Sequence, residues 1–149
     1  ETVENQASEI DMVIDLGKVK DRRWADLIEE IKGVKAACLG RPLKVIIETC
    51  QLTDPEKKKL CQVVEKAGAD FLKTTTRRAS LQISSTGFGS GGATREDVAL
   101  LRENLADHIS LKASGGIRTL EDAQAYLELG AERLGASALV EEARKAAAR

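Results

Sequence analysis

Short apolar runs alternate with helix-like patterns along the chain, and both kinds of segment recur. The runs that predict strands are Glu9–Ile14, Leu43–Ile47, Asp70–Lys73, Ile109–Ala113 and Arg133–Ala136. Between them, apolar residues return at the three- and four-residue spacing that places them on one face of a helix. This alternation predicts repeated βα units, which form a parallel sheet with right-handed crossovers.

Helix boundaries are marked by short polar motifs and by glycine. "TDPE", which begins at Thr53, is a capping box with proline in the first helical turn. Thr94 and Thr119 each place a hydroxyl before two acidic residues, a start that suits the helix dipole. Gly68 and Gly130 stand where helices should end. We therefore predict five strands and five helices.

The length of the chain limits the architecture. Its 149 residues suit a single domain, residues 1–149. The fold class is α/β, and two arrangements are open at this point: a doubly wound sheet, or part of a (β/α)₈ barrel. A complete barrel typically needs about 250 residues. If the chain follows the barrel plan, we expect a partial barrel of about five βα units with helices on its outer face.

Composition and charge exclude several classes of partner. The net charge is −1, so a nucleic-acid partner is not expected. No apolar run approaches the roughly 20 residues that span a bilayer, so no membrane partner is expected. Cys38, Cys50 and Cys61 lack the spacing of metal or disulfide frameworks. We expect no metal and no cofactor, and a reducing, cytoplasmic location.

Ionisable residues stand at the predicted strand ends, where parallel α/β folds bind ligands. Lys73 and Lys112 lie on consecutive strands, and Asp11 lies on the first. Two adjacent lysines repel each other's charge, which frees a neutral amine that can attack a carbonyl. Two surface lysines at loop edges are the alternative. Glu48 and Thr49 either line the same site or form a solvated strand end.

Glycine-rich loops follow the last three predicted strands. They read "TGFGSGGAT", "KASGGIRT" and "LGAS", and each leads into a predicted helix. Backbone N–H groups at the starts of helices bind phosphate. Three such loops in succession resemble the phosphate-binding corner of a barrel enzyme. The sequence therefore predicts a phosphorylated small molecule as the ligand.

Taken together, these segments resemble one enzyme family. "EIDMVI", "LKVIIET", "AGADFLKT", "STGFGSGGAT", "LKASGGIRTLEDA" and "GAERLGAS" are similar, in order and in spacing, to deoxyribose-phosphate aldolase. The resemblance implies a (β/α)₈ barrel and a class I aldolase, a lyase that needs no metal or cofactor. It further implies reversible cleavage of 2-deoxy-D-ribose 5-phosphate to D-glyceraldehyde 3-phosphate and acetaldehyde through a lysine Schiff base.

The resemblance also assigns roles to individual residues. Lys73 matches the Schiff-base lysine, Lys112 the second lysine that tunes it, and Asp11 the acid that shuttles protons with water. The residues that match the loops for the substrate phosphate are Gly87, Gly115, Gly116, Gly135 and Ser137. Ala138 replaces a serine that is usual in the family.

Two departures from the family pattern bear on activity. The chain begins near the end of the family's third helix, so three strands of the barrel are expected to be absent. In addition, ten residues, Thr75–Ser84, interrupt the motif that follows Lys73. This insertion contains "RRASL", a weak match to a kinase site at Ser80. If the insertion bulges outward, Lys73 keeps its place, whereas an odd shift in register would turn its side chain away.

These departures leave three hypotheses. The first is an aldolase, although we expect very low turnover from this chain alone. The second is a truncated, non-catalytic family member or an interaction protein. The third is a different α/β phosphate binder, against which the specific motifs argue. A homo-oligomer or a complementing chain is a possible partner under the first two.

Overall fold

The computed structural model describes residues 7–75 and 92–136, together with positions 139 and 144. Its strands are β1 (Ile10–Val13), β2 (Leu43–Ile46), β3 (Phe71–Lys73), β4 (Ser110–Ser114) and β5 (Arg133–Gly135). Its helices are α1 (Leu16–Lys20), α2 (Trp24–Ala37), α3 (Asp54–Ala67), α4 (Arg95–Asn104) and α5 (Leu120–Glu128), with a 3₁₀ turn at Thr49–Gln51. None of the described helices is long and apolar enough to cross a membrane.

The five strands form one parallel sheet in the order β1-β2-β3-β4-β5. Strands that neighbour each other in sequence are therefore neighbours in space throughout, as in a barrel wall. A doubly wound sheet instead reverses its strand order at a switch point. The observed order confirms the parallel α/β prediction and favours the barrel plan over the doubly wound one.

The two faces of the sheet differ in chemistry because strand side chains alternate. Val45, Leu72 and Leu111 are level with one another and fully buried, in one core with helix residues such as Leu27 and Leu60. We call this the helical face. The opposite face, which we call the polar face, carries all the charged residues of the five described strands: Asp11, Lys44, Lys73, Lys112 and Arg133.

The sheet is strongly curved toward its polar face. Arg133 of β5 donates to both carboxylate oxygens of Glu9, just before β1, at 2.7 Å. In a flat sheet, β1 and β5 would be separated by four strand spacings, about 19 Å. An arginine and a glutamate together do not span that distance. The contact therefore requires the curvature predicted for a partial barrel.

The predicted helix boundaries are confirmed where the structure describes them. Thr53 and Glu56 form the capping box of α3, and that helix ends at Gly68 in the left-handed conformation, with φ 73°. Thr94 and Thr119 cap α4 and α5 with their side chains. The short helix α1 was not predicted. The expected helix near Ala138 lies outside the described residues except for Leu139 and Arg144.

A buried ion pair joins α3 to α4. Lys57 Nζ lies 2.6 Å from Asp97 Oδ1 and 3.0 Å from Asp54 Oδ1. The side chains of Lys57 and Asp97 are about one-tenth exposed. Asp97 lies in the first turn of α4, where a negative charge suits the helix dipole. The pair thus fixes how two neighbouring helices pack on the helical face.

Replacing Lys57 with methionine should lower the free energy of unfolding by about 3 kcal/mol, because the Asp97 carboxylate would stay buried without its cation. Urea unfolding followed by circular dichroism measures the change. Lys58→Met on the same helix is the matched control, since Lys58 is exposed; we expect a change within about 0.5 kcal/mol. Equal losses in the two variants would contradict the role given to the pair.

Candidate active site

Lys73 is held in register on both sides of its strand. It is level with Ile46 of β2 and Lys112 of β4. The ladder continues past it, since Thr74 N donates to Lys112 O at 3.1 Å and Thr49 N donates to Thr74 O at 3.0 Å. The interruption that follows in sequence therefore leaves Lys73 on the polar face, which is the outcome expected for an insertion that preserves register.

Asp11 lies within hydrogen-bonding distance of two lysines. Its Oδ2 is 2.8 Å from Lys73 Nζ, and its Oδ1 is 2.8 Å from Lys44 Nζ. Burial alone would raise the pKa of Asp11, but hydrogen bonds from Lys44 and Lys73 outweigh burial and lower it. The carboxylate is therefore held ionised between the side chains of Lys44 and Lys73.

Lys112 differs from its neighbours on the polar face. No ion pair joins its amine to a carboxylate in the described part of the chain. Burial lowers the pKa of Lys112, and repulsion from Lys73 lowers it further. Lys112 Cε lies 3.5 Å from where a β-carbon on Gly135 would stand. That spacing is an ordinary contact, whereas Ser114 Cβ would stand only 2.7 Å from the same β-carbon, so it is Ser114 that requires a glycine at this position of β5.

Two of the predicted phosphate-loop glycines form a tight turn after β4. Gly115 and Gly116 have φ values of 88° and 77°, in the region that favours glycine. A β-carbon on Gly115 would stand 3.0 Å from Thr75 Cγ2 and 3.1 Å from Gly92 Cα, so the loops after β3 and β4 touch. Gly135 follows on β5. The other predicted positions, Gly87 and Ser137, lie outside the described residues, as do Ala138 and Ser80.

The strand ends of β2 and β3 form a buried polar cluster. Thr75, counted above as the first inserted residue, is fully buried and donates to Glu48 Oε2. Its carbonyl accepts from Ser114 Oγ at 2.8 Å. Thr49 is 1% exposed, and its Oγ1 has no hydrogen-bond partner within the described residues. The alternative of a solvated strand end at Glu48 and Thr49 is therefore wrong.

Three further charged residues on or beside the polar face were not singled out from the sequence. Lys44 lies between Glu9 and Asp11, at 2.8 Å from each. Glu9 in turn pairs with Arg133, whose guanidinium lies over the ring of Phe71 at 4.6 Å. Period-two alternation could have placed Lys44 on this face, but only the strand register shows that it is level with Asp11.

The structure thus brings Asp11, Lys73 and Lys112 together, and their roles stay predictions. With Lys44 and Arg133 included, the polar face carries more positive than negative groups. This charge suits an anionic substrate, and paired amines suit carbonyl chemistry. Among the described residues, no three His, Cys, Asp or Glu side chains are grouped so that they could hold a metal ion.

Comparison with known proteins gives the same answer from sequence and from structure. Deoxyribose-phosphate aldolase of Staphylococcus saprophyticus is 50% identical over 141 residues, which cover 95% of this chain and 60% of that protein. The enzyme of the same name from Finegoldia magna is 50% identical over 135 residues, covering 91% and 59%. The chain therefore spans about 60% of the length of these curated relatives.

Solved structures of aldolases superpose on the same region. The aldolase QR15 is 38% identical with a TM-score of 0.78, covering 91% of this chain and 57% of that one. The deoxyribose phosphate aldolase of Aeropyrum pernix, whose structure is described as a unique tetramer, is 28% identical with a TM-score of 0.73, covering 90% and 53%. The family model described as DeoC/LacD family aldolase matches residues 1–142. The chain, with its polar-face lysines in register, belongs to the DeoC/LacD family of aldolases.

Proposed function

We propose that this chain carries the Schiff-base centre of a deoxyribose-phosphate aldolase, with 2-deoxy-D-ribose 5-phosphate as the substrate. One observation supports this most directly. Lys73, Lys112 and Asp11 come from three strands, yet Lys73 is level with Lys112 and 2.8 Å from Asp11. An amine beside a second amine and an acid is the set that carbinolamine formation and dehydration require.

In the proposed reaction, the Lys73 amine adds to C1 of the open-chain sugar, and loss of water leaves a protonated C=N bond. That bond accepts the electron pair of the C2–C3 bond as it breaks. The C3 hydroxyl loses its proton and becomes the aldehyde of glyceraldehyde 3-phosphate. The enamine left on Lys73 takes a proton at C2, and hydrolysis then releases acetaldehyde and the free amine.

Asp11 and Lys112 support these steps in different ways. Asp11 accepts a hydrogen bond from Lys73, so it is placed to move protons at that nitrogen, directly or through water. Lys112 brings a second positive charge beside Lys73, and repulsion between like charges favours a neutral amine on one of the two lysines. Burial first, and then this repulsion, lower the pKa of Lys112.

The substrate phosphate is assigned to the glycine loops. Gly115 and Gly116 precede α5, whose cap is Thr119, and Gly135 ends β5 beside them. Loops of this kind at helix starts bind phosphate through backbone N–H groups. Gly87 and Ser137, outside the described residues, complete the proposed set. The net positive polar face adds a favourable field for the dianion.

A second candidate is a non-catalytic member of the family. The described residues provide five strands, whereas the family barrel has eight. Closing such a barrel needs additional strands, from a further segment, a second copy or a complementing chain. For either candidate, we propose that the chain assembles into an oligomer, is located in the cytoplasm and forms a single domain over residues 1–149.

Reduction with borohydride in the presence of acetaldehyde tests the nucleophile. The proposal expects one ethyl group, located by peptide mass spectrometry on Lys73, and its absence in Lys73→Leu. Borohydride reduces the imine that forms when the amine adds to acetaldehyde and loses water. Trapping therefore does not require full turnover. An ethyl group on Lys112 instead would show that the roles of the two lysines are exchanged.

Turnover of the 149-residue chain alone should be below about 1 s⁻¹, the low end of ordinary enzymes. Catalytic positions need to be held within about 0.5 Å, and an open sheet of five strands leaves part of the pocket without walls. A coupled assay of deoxyribose 5-phosphate cleavage measures the rate against Lys73→Leu. A higher rate would show that five strands suffice.

The pH dependence of amine labelling tests the environment of Lys112. Its pKa is lowered from 10.5, so its neutral form should be populated at lower pH than that of an ordinary lysine. Lys18 is the comparison, because a hydrogen bond to Glu30 raises its pKa. Acetic anhydride labelling across pH, read by mass spectrometry, should give the lower midpoint for Lys112. The reverse order would contradict the lowering of the Lys112 pKa by burial and by repulsion from Lys73.

A further inference from the structure

Lys44 is the most buried charged residue of the polar face, and the reaction proposed above does not use it. Its side chain is 4% exposed, and its Nζ lies 2.8 Å from both Glu9 Oε2 and Asp11 Oδ1. A buried ammonium is costly unless carboxylates offset the loss of water. Here two do so, and one of them is the proposed proton-transfer acid.

The contact with Lys44 determines which way the Asp11 carboxylate faces. Oδ1 of Asp11 pairs with Lys44, and Oδ2 pairs with Lys73. A carboxylate is planar, so holding one oxygen fixes the direction of the other. Lys44 is in turn directly level with Asp11 in the ladder between β1 and β2. The two neighbouring strands therefore present the second oxygen, Oδ2, to the proposed nucleophile.

The other partner of Lys44, Glu9, is held in place by a second cation. Glu9 accepts from Arg133 at both oxygens, and these hydrogen bonds, with that from Lys44, lower the pKa of Glu9 to about 2. Arg133 is held over Phe71, which is level with Lys44. Burial would lower the pKa of Lys44, but the hydrogen bonds that it donates to Asp11 and Glu9 outweigh burial and raise it. The ammonium form of Lys44 is thus fixed from two sides.

We infer that Lys44 is a positioning residue for the proposed reaction: held by Glu9 and Arg133, it keeps the Asp11 carboxylate ionised and directed at Lys73. This inference rests on the proposed function only for the role of Asp11. A Lys44 that only joined β1 to β2 would still lower the pKa of Asp11, but it would not affect how fast Lys73 reacts with a carbonyl. The charged groups around Asp11 are Glu9, Lys44, Lys73, Lys112 and Arg133.

The test uses ¹³C NMR titration of the Asp11 carboxyl carbon in the full chain, assigned with Asp11→Asn. In Lys44→Met, the pKa of Asp11 should rise by about 1, because one of its two cations is lost. Lys44→Arg keeps the charge and should restore most of the shift. Lys18→Met removes a lysine–glutamate pair away from the polar face and should leave Asp11 unchanged.

Glu9→Gln provides a change of opposite sign. It removes a negative charge near Asp11 as well as the competing partner of Lys44, and both changes should lower the pKa of Asp11. If Lys44→Met does not fold, a constant Asp11 pKa in Glu9→Gln still contradicts the inference. An Asp11 pKa that stays constant in Glu9→Gln and in any folded Lys44→Met would overturn the inference.

Borohydride trapping adds a chemical measurement. Lys44→Met should slow trapping of acetaldehyde on Lys73 by about ten- to a hundredfold. Losses of this size are typical when a residue that orients a functional side chain by hydrogen bonding is replaced. Lys44→Arg should recover part of that rate. Wild-type chain that traps nothing on Lys73 would refute the proposed function while the titration still tests Lys44. Equal trapping rates in the wild type and Lys44→Met would overturn the positioning role.

Discussion

The register of β3 between its two neighbours is the constraint on which the proposed site depends. β3 has only three residues, but Thr74 extends its ladder toward β4 and toward the residues that follow β2. Because side chains alternate, a slip of one residue would turn Lys73 to the helical face and Leu72 into the charged layer. Hydrophobic burial of Leu72 and ion pairing of Lys73 thus favour the same register.

The polar face is organised by alternating charge. Arg133, Glu9, Lys44, Asp11 and Lys73 form a row in which each ion lies beside one of opposite sign. Such a row offsets the desolvation of its members, although buried ion pairs add little net stability compared with apolar packing. Its benefit is directional, because each charge restricts where its neighbours can lie. Lys112, outside the row, keeps an amine that lacks a carboxylate partner within the described residues.

Much of the fold could be predicted because its signals are local. Capping at Thr53 and the alternation of strands and helices depend on a few adjacent residues. The approach of Lys73 to Lys112 followed from parallel strands that are consecutive in sequence. The pairs Lys44–Asp11 and Arg133–Glu9 depend on stagger and curvature, which no local pattern encodes. The burial of Glu48 depends on Thr75, 27 residues away, and α1 is too short to show a period.

The contact between Arg133 and Glu9 has a consequence for the order of folding. The two residues are separated by 124 positions, nearly the full chain. Closing so long a loop costs more entropy than pairing neighbouring strands, so we expect the contact to form after the strands between them have paired. Before β5 joins the sheet, Arg133 does not contact Glu9, and Glu9 can pair with Lys44. We therefore expect the charged row to be completed last, with the geometry of the centre established once β5 has joined the sheet.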